Sequence, residues 1–402
     1  MNPIDGGVAA PQGFRAAGVS AKIKNLKSTK KDCALVLSDA PAAIAGVFTT
    51  NLVKAAPVLW TRDVCARGRA RAVFANSGNA NACTGDRGLA DARATAAHAA
   101  AALGVAPEEI AVLSTGVIGV PLPMDRILQG VDACIAALSS NGGADAAQAI
   151  VTTDTVPKSM AVEMNIGGRA VRVGAMAKGA GMISPKMATM LCVISTDAPI
   201  AFQPLQLALM DAVDQSFNRI CVDNDMSTND TVLCLANGLA GDDPIVPGSP
   251  DFAVFAEALR EMCTALAQAL VRDGEGATKF VAITVEGAAS DADAERIARA
   301  VAASQLCKTA FFGQDPNWGR IACAAGYSGA AFDPARLCLW IGSVQVLDNG
   351  LPATYEEAAA AACMRERDIA IRIRVGDGPG RCRFWTSDLS HDYVRINADY
   401  RT

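Results

Sequence analysis

The residues with the clearest capacity for chemistry stand together in Lys178-Gly179-Ala180-Gly181-Met182-Ile183-Ser184-Pro185-Lys186-Met187-Ala188-Thr189-Met190-Leu191. A lone lysine opens a turn of small residues. The turn runs into residues 188–197, a short apolar run with β-branched residues at its far end, stopped by Asp197 and Pro199, which reads as a buried strand. Thr189 is then a hydroxyl at the mouth of a core strand. On local grounds two readings stand. In the first, Thr189 is an ordinary β-branched strand residue and the glycines only make a turn. Alternatively Thr189 is an activated nucleophile. A hydroxyl is weak without a base beside it, and one solution makes the threonine the first residue of a chain, so that its own α-amine takes the proton. In mid-chain that requires the Ala188–Thr189 bond to be cut, which spacing alone does not show.

Other stretches offer complementary groups. Ser114-Thr115-Gly116 follows an apolar strand over residues 110–113 and presents one hydroxyl and one unencumbered backbone N–H, the parts of an oxyanion hole or of a plain turn. The loop 76–85, rich in Asn and Gly, suits either an anion cradle or a connection whose asparagines adopt left-handed conformations. Glu275 lies between two glycines, as a surface acid in a turn or an acid held on exposed backbone. Residues 223–230 are acidic but lack the spacing and closing Glu of a calcium loop, and read as a capping and hydrogen-bonding loop. Only two histidines exist, His98 in an alanine-rich helix and His391 in a polar loop before a last strand. A Ser-His-Asp triad would have to use one of them, whereas a threonine with its own amine needs neither. No ligand spacing for a metal occurs.

The elements that must position these groups alternate between strand and helix patterns. Strands are predicted over 33–38, 44–49, 71–75, 158–166 and 170–176, with Gly167-Gly168 as a two-residue hairpin turn, and helices over 89–103, 124–138, 202–217, 251–270 and 291–303. The pattern is mixed α/β, layered sheets with flanking helices, with a soft boundary that separates residues 1–279 from 280–402. With 402 residues, 51% hydrophobic and 19% charged, the composition is that of a globular enzyme. A net charge of -5 with both signs dispersed gives no footprint for nucleic acid. No apolar run reaches membrane-spanning length and no signal segment opens the chain, so a cytoplasmic location with no membrane partner is expected. Thirteen cysteines, an odd number without a C-x-x-C pair, read as reduced thiols.

The run from Lys178 to Leu191 closely resembles the Lys-Gly-x-Gly-Met-Ile-x-Pro-x-Met-Ala-Thr-Met-Leu signature of the ornithine acetyltransferases, also called glutamate N-acetyltransferases, of arginine biosynthesis. Segments from Gly6-Gly7-Val8 to the last residue are similar to that family as well. The resemblance implies the layered N-terminal-nucleophile-type fold shared with certain aminopeptidases. It implies self-cleavage between Ala188 and Thr189, into an α chain of residues 1–188 and a β chain of residues 189–402. Thr189 would carry the acetyl group, and Thr115 with Gly116 would form the oxyanion hole. Substrate would be held by Thr153 (with Thr152 as the neighbouring candidate), Lys178, Thr189, Glu275, Asn397 and Thr402. The reaction implied is a ping-pong transfer of acetyl from N-acetylornithine to glutamate without a cofactor. Acetyl-CoA is a second donor that some members accept. The implied assembly holds two α and two β chains. The alternatives are a self-processing aminopeptidase or amidase of the related fold, and an uncleaved, non-catalytic binding protein.

Overall fold

The structure, a computed structural model, describes residues 1–184 and 190–399; Ala188, Thr189 and Thr402 therefore lie outside the described residues. Strands in the described residues gather into two sheets. The first takes β1 (Asn2–Ile4), β2 (Phe14–Val19), β3 (Cys33–Phe48), β4 (Arg69–Asn79), β5 (Ile110–Val117), β6 (Lys158–Ile166), β7 (Arg169–Lys178) and β8 (Leu191–Thr196). The short β9 (Ile220–Cys221) belongs to the second sheet, and β10 (Thr231–Ala236) returns to the first. The second sheet is completed by β11 (Phe280–Ala288), β12 (Cys338–Ile341), β13 (Val344–Asp348), β14 (Leu351–Pro352), β15 (Asp368–Arg374) and β16 (Gly380–Ser387).

The first sheet runs in the order β1-β6-β7-β8-β10-β3-β4-β5, with β2 paired to β3 off this path. The β8–β10 and β4–β5 pairs are parallel. Every residue of β8 is buried, because both faces of the sheet are covered. Cys192 and Ile194 enter the core made with the helices Phe202–Asp214 and Pro250–Arg272, and Leu191 and Val193 enter the opposite core with Val36, Ile150 and Met176. The helix Pro250–Arg272 starts at Ser249, whose hydroxyl accepts the Phe252 N–H, and buries Phe255, Leu259, Met262, Leu266 and Leu270 along one stripe. The second sheet runs β14-β13-β12-β15-β11-β16-β9. On β15, Ile369, Ile371 and Ile373 point into a core with the helices Asp291–Ala303 and Trp318–Gly326, while Arg372 on the other face stacks 3.7 Å over Trp340.

The mixed α/β layering, the strand 158–166 and the helix 291–303 stand as the pattern predicts. Gly167 and Gly168 turn the β6–β7 hairpin with φ of +57° and +82°, a conformation that glycine takes without strain. Two expectations are corrected. Residues 33–38 and 44–49 are not separate strands but parts of one sixteen-residue strand, β3. The polar stretch around Asp39 and Pro41 looks like a break, yet a register shift against β4 between Leu37 and Ala42 absorbs it within the strand. The last described segment is the helix His391–Asp399, not a strand preceded by a loop. Tyr393 and Asn397 are four apart and share one helical face, on the cavity described next.

Candidate active site

The parallel β4–β5 pair sets the first wall. Ser77 pairs with Thr115 and Gly78 with Gly116, where the two backbones close on each other. Gly116 has φ +134°, and a Cβ there would stand 2.3 Å from the Gly78 carbonyl carbon, so no side chain fits and the N–H stays uncovered by one. Side-chain amides brace this end. Ser114 Oγ donates to Asn76 Oδ1 at 2.7 Å, and Asn229 Nδ2 donates to the Ala80 and Ser114 carbonyls at 2.6 and 2.8 Å. Asn79 Nδ2 donates to the Val120 and Pro121 carbonyls, and Asn81 Nδ2 to that of Gly88. Of the two readings of the 76–85 loop, the connection is the one the bonds favour: the Ser77, Ala80 and Asn81 N–H groups donate to the Asp32 carbonyl, the Val117 carbonyl and Asn79 Oδ1, with Asn81 left-handed at φ +48°.

Lys178 ends β7, opposite Leu191, and is 2% exposed. Burial holds its ammonium below the usual lysine range, against the opposing pull of Asp154, Asp230 and Glu275. Behind it lies a buried ionic knot. Lys158 Nζ donates to Asp154 Oδ1 at 2.5 Å and pairs also with Asp273. Asp154 Oδ1 accepts the Gly179 N–H at 2.7 Å, and Asp273 Oδ2 accepts the Thr155 N–H at 3.0 Å. Burial pushes the Asp154 carboxyl up, but Lys178 and Lys158 with the Gly179 N–H more than offset it and hold it below the usual carboxylate range. The knot thus fixes both the turn after Lys178 and the segment that follows Thr152 and Thr153.

The third wall carries acids. Glu275 N–H donates to the Ala180 carbonyl at 2.8 Å, and Asn397 Nδ2 donates to Glu275 Oε2 at 2.8 Å. Gly181 makes room for this acid, since a Cβ there would lie 2.5 Å from Glu275 Oε2. Asp223 accepts the Met182 and Ile183 N–H groups at 2.7 and 2.8 Å, tying the turn to the 223–230 loop. Burial raises its carboxyl to about 6, although backbone N–H groups pull the other way.

These walls enclose a cavity of about 390 Å³. Thr115, Gly116, Thr152, Thr153, Lys178, Glu275 and Asn397 all line it. Ala188, Thr189 and Thr402 fall outside the described residues. Sequence reasoning missed Asp223, Asp225 and Tyr393, which also face the cavity. The acidic character of 223–230 was visible, and the four-residue spacing of Tyr393 and Asn397 was the signal for the last helix. His98 is elsewhere, in the helix Gly85–Leu103, with Nε2 2.7 Å from Asp132 Oδ1 on the surface. A larger groove of about 790 Å³ beside Arg219, Arg260, Arg381 and Arg383 contains none of the candidate residues. Among the described residues no group of three or more His, Cys, Asp or Glu side chains could hold a metal ion, and no helix is long and apolar enough to cross a membrane. The cavity offers one ammonium, several carboxylates, several hydroxyls and the backbone of Gly116 without a side chain over it: groups suited to a small zwitterion and to a developing oxyanion.

The chain matches the ArgJ family model over residues 15–402. It is 54% identical over 402 residues to the arginine biosynthesis bifunctional protein ArgJ of Symbiobacterium thermophilum, covering 100% of both chains. It is 52% identical over 392 residues to the protein of the same name from Geobacter sulfurreducens, covering 97% of this chain and 99% of that one. The crystal structure of the arginine biosynthesis bifunctional protein ArgJ from Bacillus halodurans is similar at 43% identity and a TM-score of 0.50, over 51% of this chain and 97% of that chain. Matched by the family model over nearly all of its length and by full-length relatives at more than half identity, the chain belongs to the ArgJ family.

Proposed function

We propose that this protein is a glutamate N-acetyltransferase of arginine biosynthesis that moves acetyl from N-acetylornithine to glutamate through an acetyl ester on Thr189, after self-cleavage at Ala188–Thr189. The observation that carries the reading is the convergence on one cavity of seven residues drawn from distant segments between Thr115 and Asn397, beside the turn that leads to Thr189. Relatives covering the full chain bear the name of an arginine-biosynthesis protein. The half-length match to the Bacillus halodurans chain is what a family member cut near its middle yields.

The freed α-amine of Thr189, with a pKa near ~8 in an unperturbed chain, takes the hydroxyl proton as the oxygen attacks the acetyl carbonyl. The Thr115 hydroxyl and the Gly116 N–H receive the oxyanion. Collapse breaks the carbon–nitrogen bond, and ornithine leaves with the proton the amine held. Glutamate then attacks the ester through its amino group, passes a proton to the α-amine, and departs as N-acetylglutamate while the Thr189 oxygen regains its proton. Lys178 takes the substrate carboxylate, and Glu275, steadied by Asn397, takes an ammonium. Thr152 or Thr153 and Thr402 complete the substrate contacts. No cofactor enters this sequence, although acetyl-CoA has the acyl chemistry to serve as a second donor. The same reading places two copies of each fragment together, in the cytoplasm.

Denaturing mass spectrometry tests it. The expected result is two fragments, 188 and 214 residues long, with one acetyl mass on the larger after incubation with N-acetylornithine. A chain that stays whole and unacetylated overturns the reading, and cleavage without acetylation points to an aminopeptidase or amidase. Thr115→Val keeps the shape and removes the hydroxyl; kcat should fall by roughly 10²–10³ with KM little changed. Glu275→Gln should instead raise KM for N-acetylornithine by roughly tenfold, the loss of one charge-assisted bond, with a smaller change in kcat. Steady-state kinetics separates the two patterns.

A further inference from the structure

Asp230 stands immediately before β10 and is fully buried. Its backbone carbonyl accepts the Thr49 N–H at 3.0 Å. Its side-chain Oδ1 accepts the Met190 N–H at 3.0 Å, and the Met190 carbonyl accepts the Thr231 N–H at 3.1 Å. The N–H held by Oδ1 belongs to the peptide bond that joins Thr189 to Met190. The other oxygen, Oδ2, is buried and makes no hydrogen bond of normal geometry among the described residues, although the Ser227 hydroxyl lies near enough to the carboxyl to act on it. A clamp on Met190 needs one acceptor oxygen, and a neutral amide would supply it without the cost of burying a carboxyl. The second oxygen therefore requires an explanation of its own.

Resting on the reading of Thr189 as an N-terminal nucleophile, we propose that Asp230 is its positioning residue: Oδ1 fixes the peptide that follows Thr189, and Oδ2 accepts a hydrogen bond from the amino group that cleavage frees. When that amine takes the hydroxyl proton, it becomes an ammonium and the Asp230 carboxylate neutralises it. The proton then leaves on the departing substrate amine, so Asp230 itself neither gains nor loses one over the cycle. Lys178, at the end of β7, is the charged group of the described residues that acts on Asp230, and Asp154 and Glu275 act on Lys178 in turn. Burial pushes the Asp230 carboxyl well above the usual range, and the Met190 N–H, Lys178 and the Ser227 hydroxyl draw it only part of the way back. A cationic amine beside Oδ2 would complete that compensation.

Asp230→Asn and Asp230→Ala decide the matter in the full chain. Asparagine keeps an acceptor for Met190 and the same shape; alanine keeps neither. If Asp230 were only a clamp, the Asn variant would match wild type and the Ala variant alone would fail. The expected result is that folded Asp230→Asn, checked by its melting transition, loses roughly 10²-fold in the rate of fragment formation or of acetyl-enzyme formation, as the Ala variant does. Where the Asn variant is cleaved, the acidic limb of its pH–kcat/KM profile should move down by about one unit, because the amine has lost a neighbouring anion. An Asn variant with wild-type rates and an unmoved acidic limb overturns the inference. A wild-type protein that is neither cleaved nor acetylated overturns the proposed function instead.

Discussion

Thr189→Ala is expected to leave the 402-residue chain in one piece and to remove acetyl transfer, a fall of roughly 10⁶-fold if it follows other enzymes stripped of their nucleophile. On the proposed mechanism cleavage and transfer fail together, because one hydroxyl would perform both attacks, first on the Ala188 carbonyl and then on the acetyl carbonyl. The variant should still melt as the uncut wild-type chain does, since it loses only a methyl and a hydroxyl. Intact mass and a coupled assay for N-acetylglutamate give the two readouts. Fragments appearing from Thr189→Ala at the wild-type rate would mean that a different group cuts the chain. Thr189→Ser restores the hydroxyl and should restore both events, at a rate set by the greater freedom of its side chain.

The largest effect on stability is expected from Lys158→Met. The Lys158 side chain is 2% exposed and stands between Asp154, at 0%, and Asp273, at 8%. Methionine fills a similar volume but removes the cation between two buried carboxylates, leaving Lys178 as the ammonium that still acts on Asp154, and breaking such a pair costs about 3–5 kcal/mol. Chemical denaturation at pH 7 should show the loss. In the wild type the Asp154 carboxyl is held low, so its contribution is present above the unfolded carboxylate pKa and fades as pH falls. In the variant that carboxyl loses one of the two cations that offset its burial, so protonation costs it less. The gap between the two proteins should therefore narrow as pH is lowered through about 5 to 4. Adding Asp154→Asn to the variant should return part of the loss. A gap that does not change with pH would show that packing, not charge, is what Lys158 contributes.

What could be read from the chain follows from how local each signal is. The strand Lys158–Ile166 and the helix Asp291–Ala303 carry their patterns within one segment, and a period of two or of 3.6 is enough to place them. β3 could not be read whole, because its continuity depends on a register shift against β4, a relation between segments rather than within one. The site divides in the same way. Thr115, Lys178 and Glu275 were visible as residues of the right chemistry next to glycines and strand ends. The partners that hold them were not: Lys158 meets Asp273 from 115 positions away, and Asn397 reaches Glu275 across 122. No local rule joins such pairs, and only the folded sheet brings them within a hydrogen bond.

The order of the first sheet has a bearing on when the chain can be cut. β8 and β10 lie side by side, with β7 on one flank and β3 on the other. A cut before Thr189 assigns the inner pair to one fragment and both flanks to the other. Neither piece could leave without tearing two ladders, and each, made separately, would carry raw sheet edges prone to pair with any other strand. The two halves would be woven rather than docked. On the proposed reading, maturation would then follow folding, and halves synthesised apart would not be expected to assemble into the working protein.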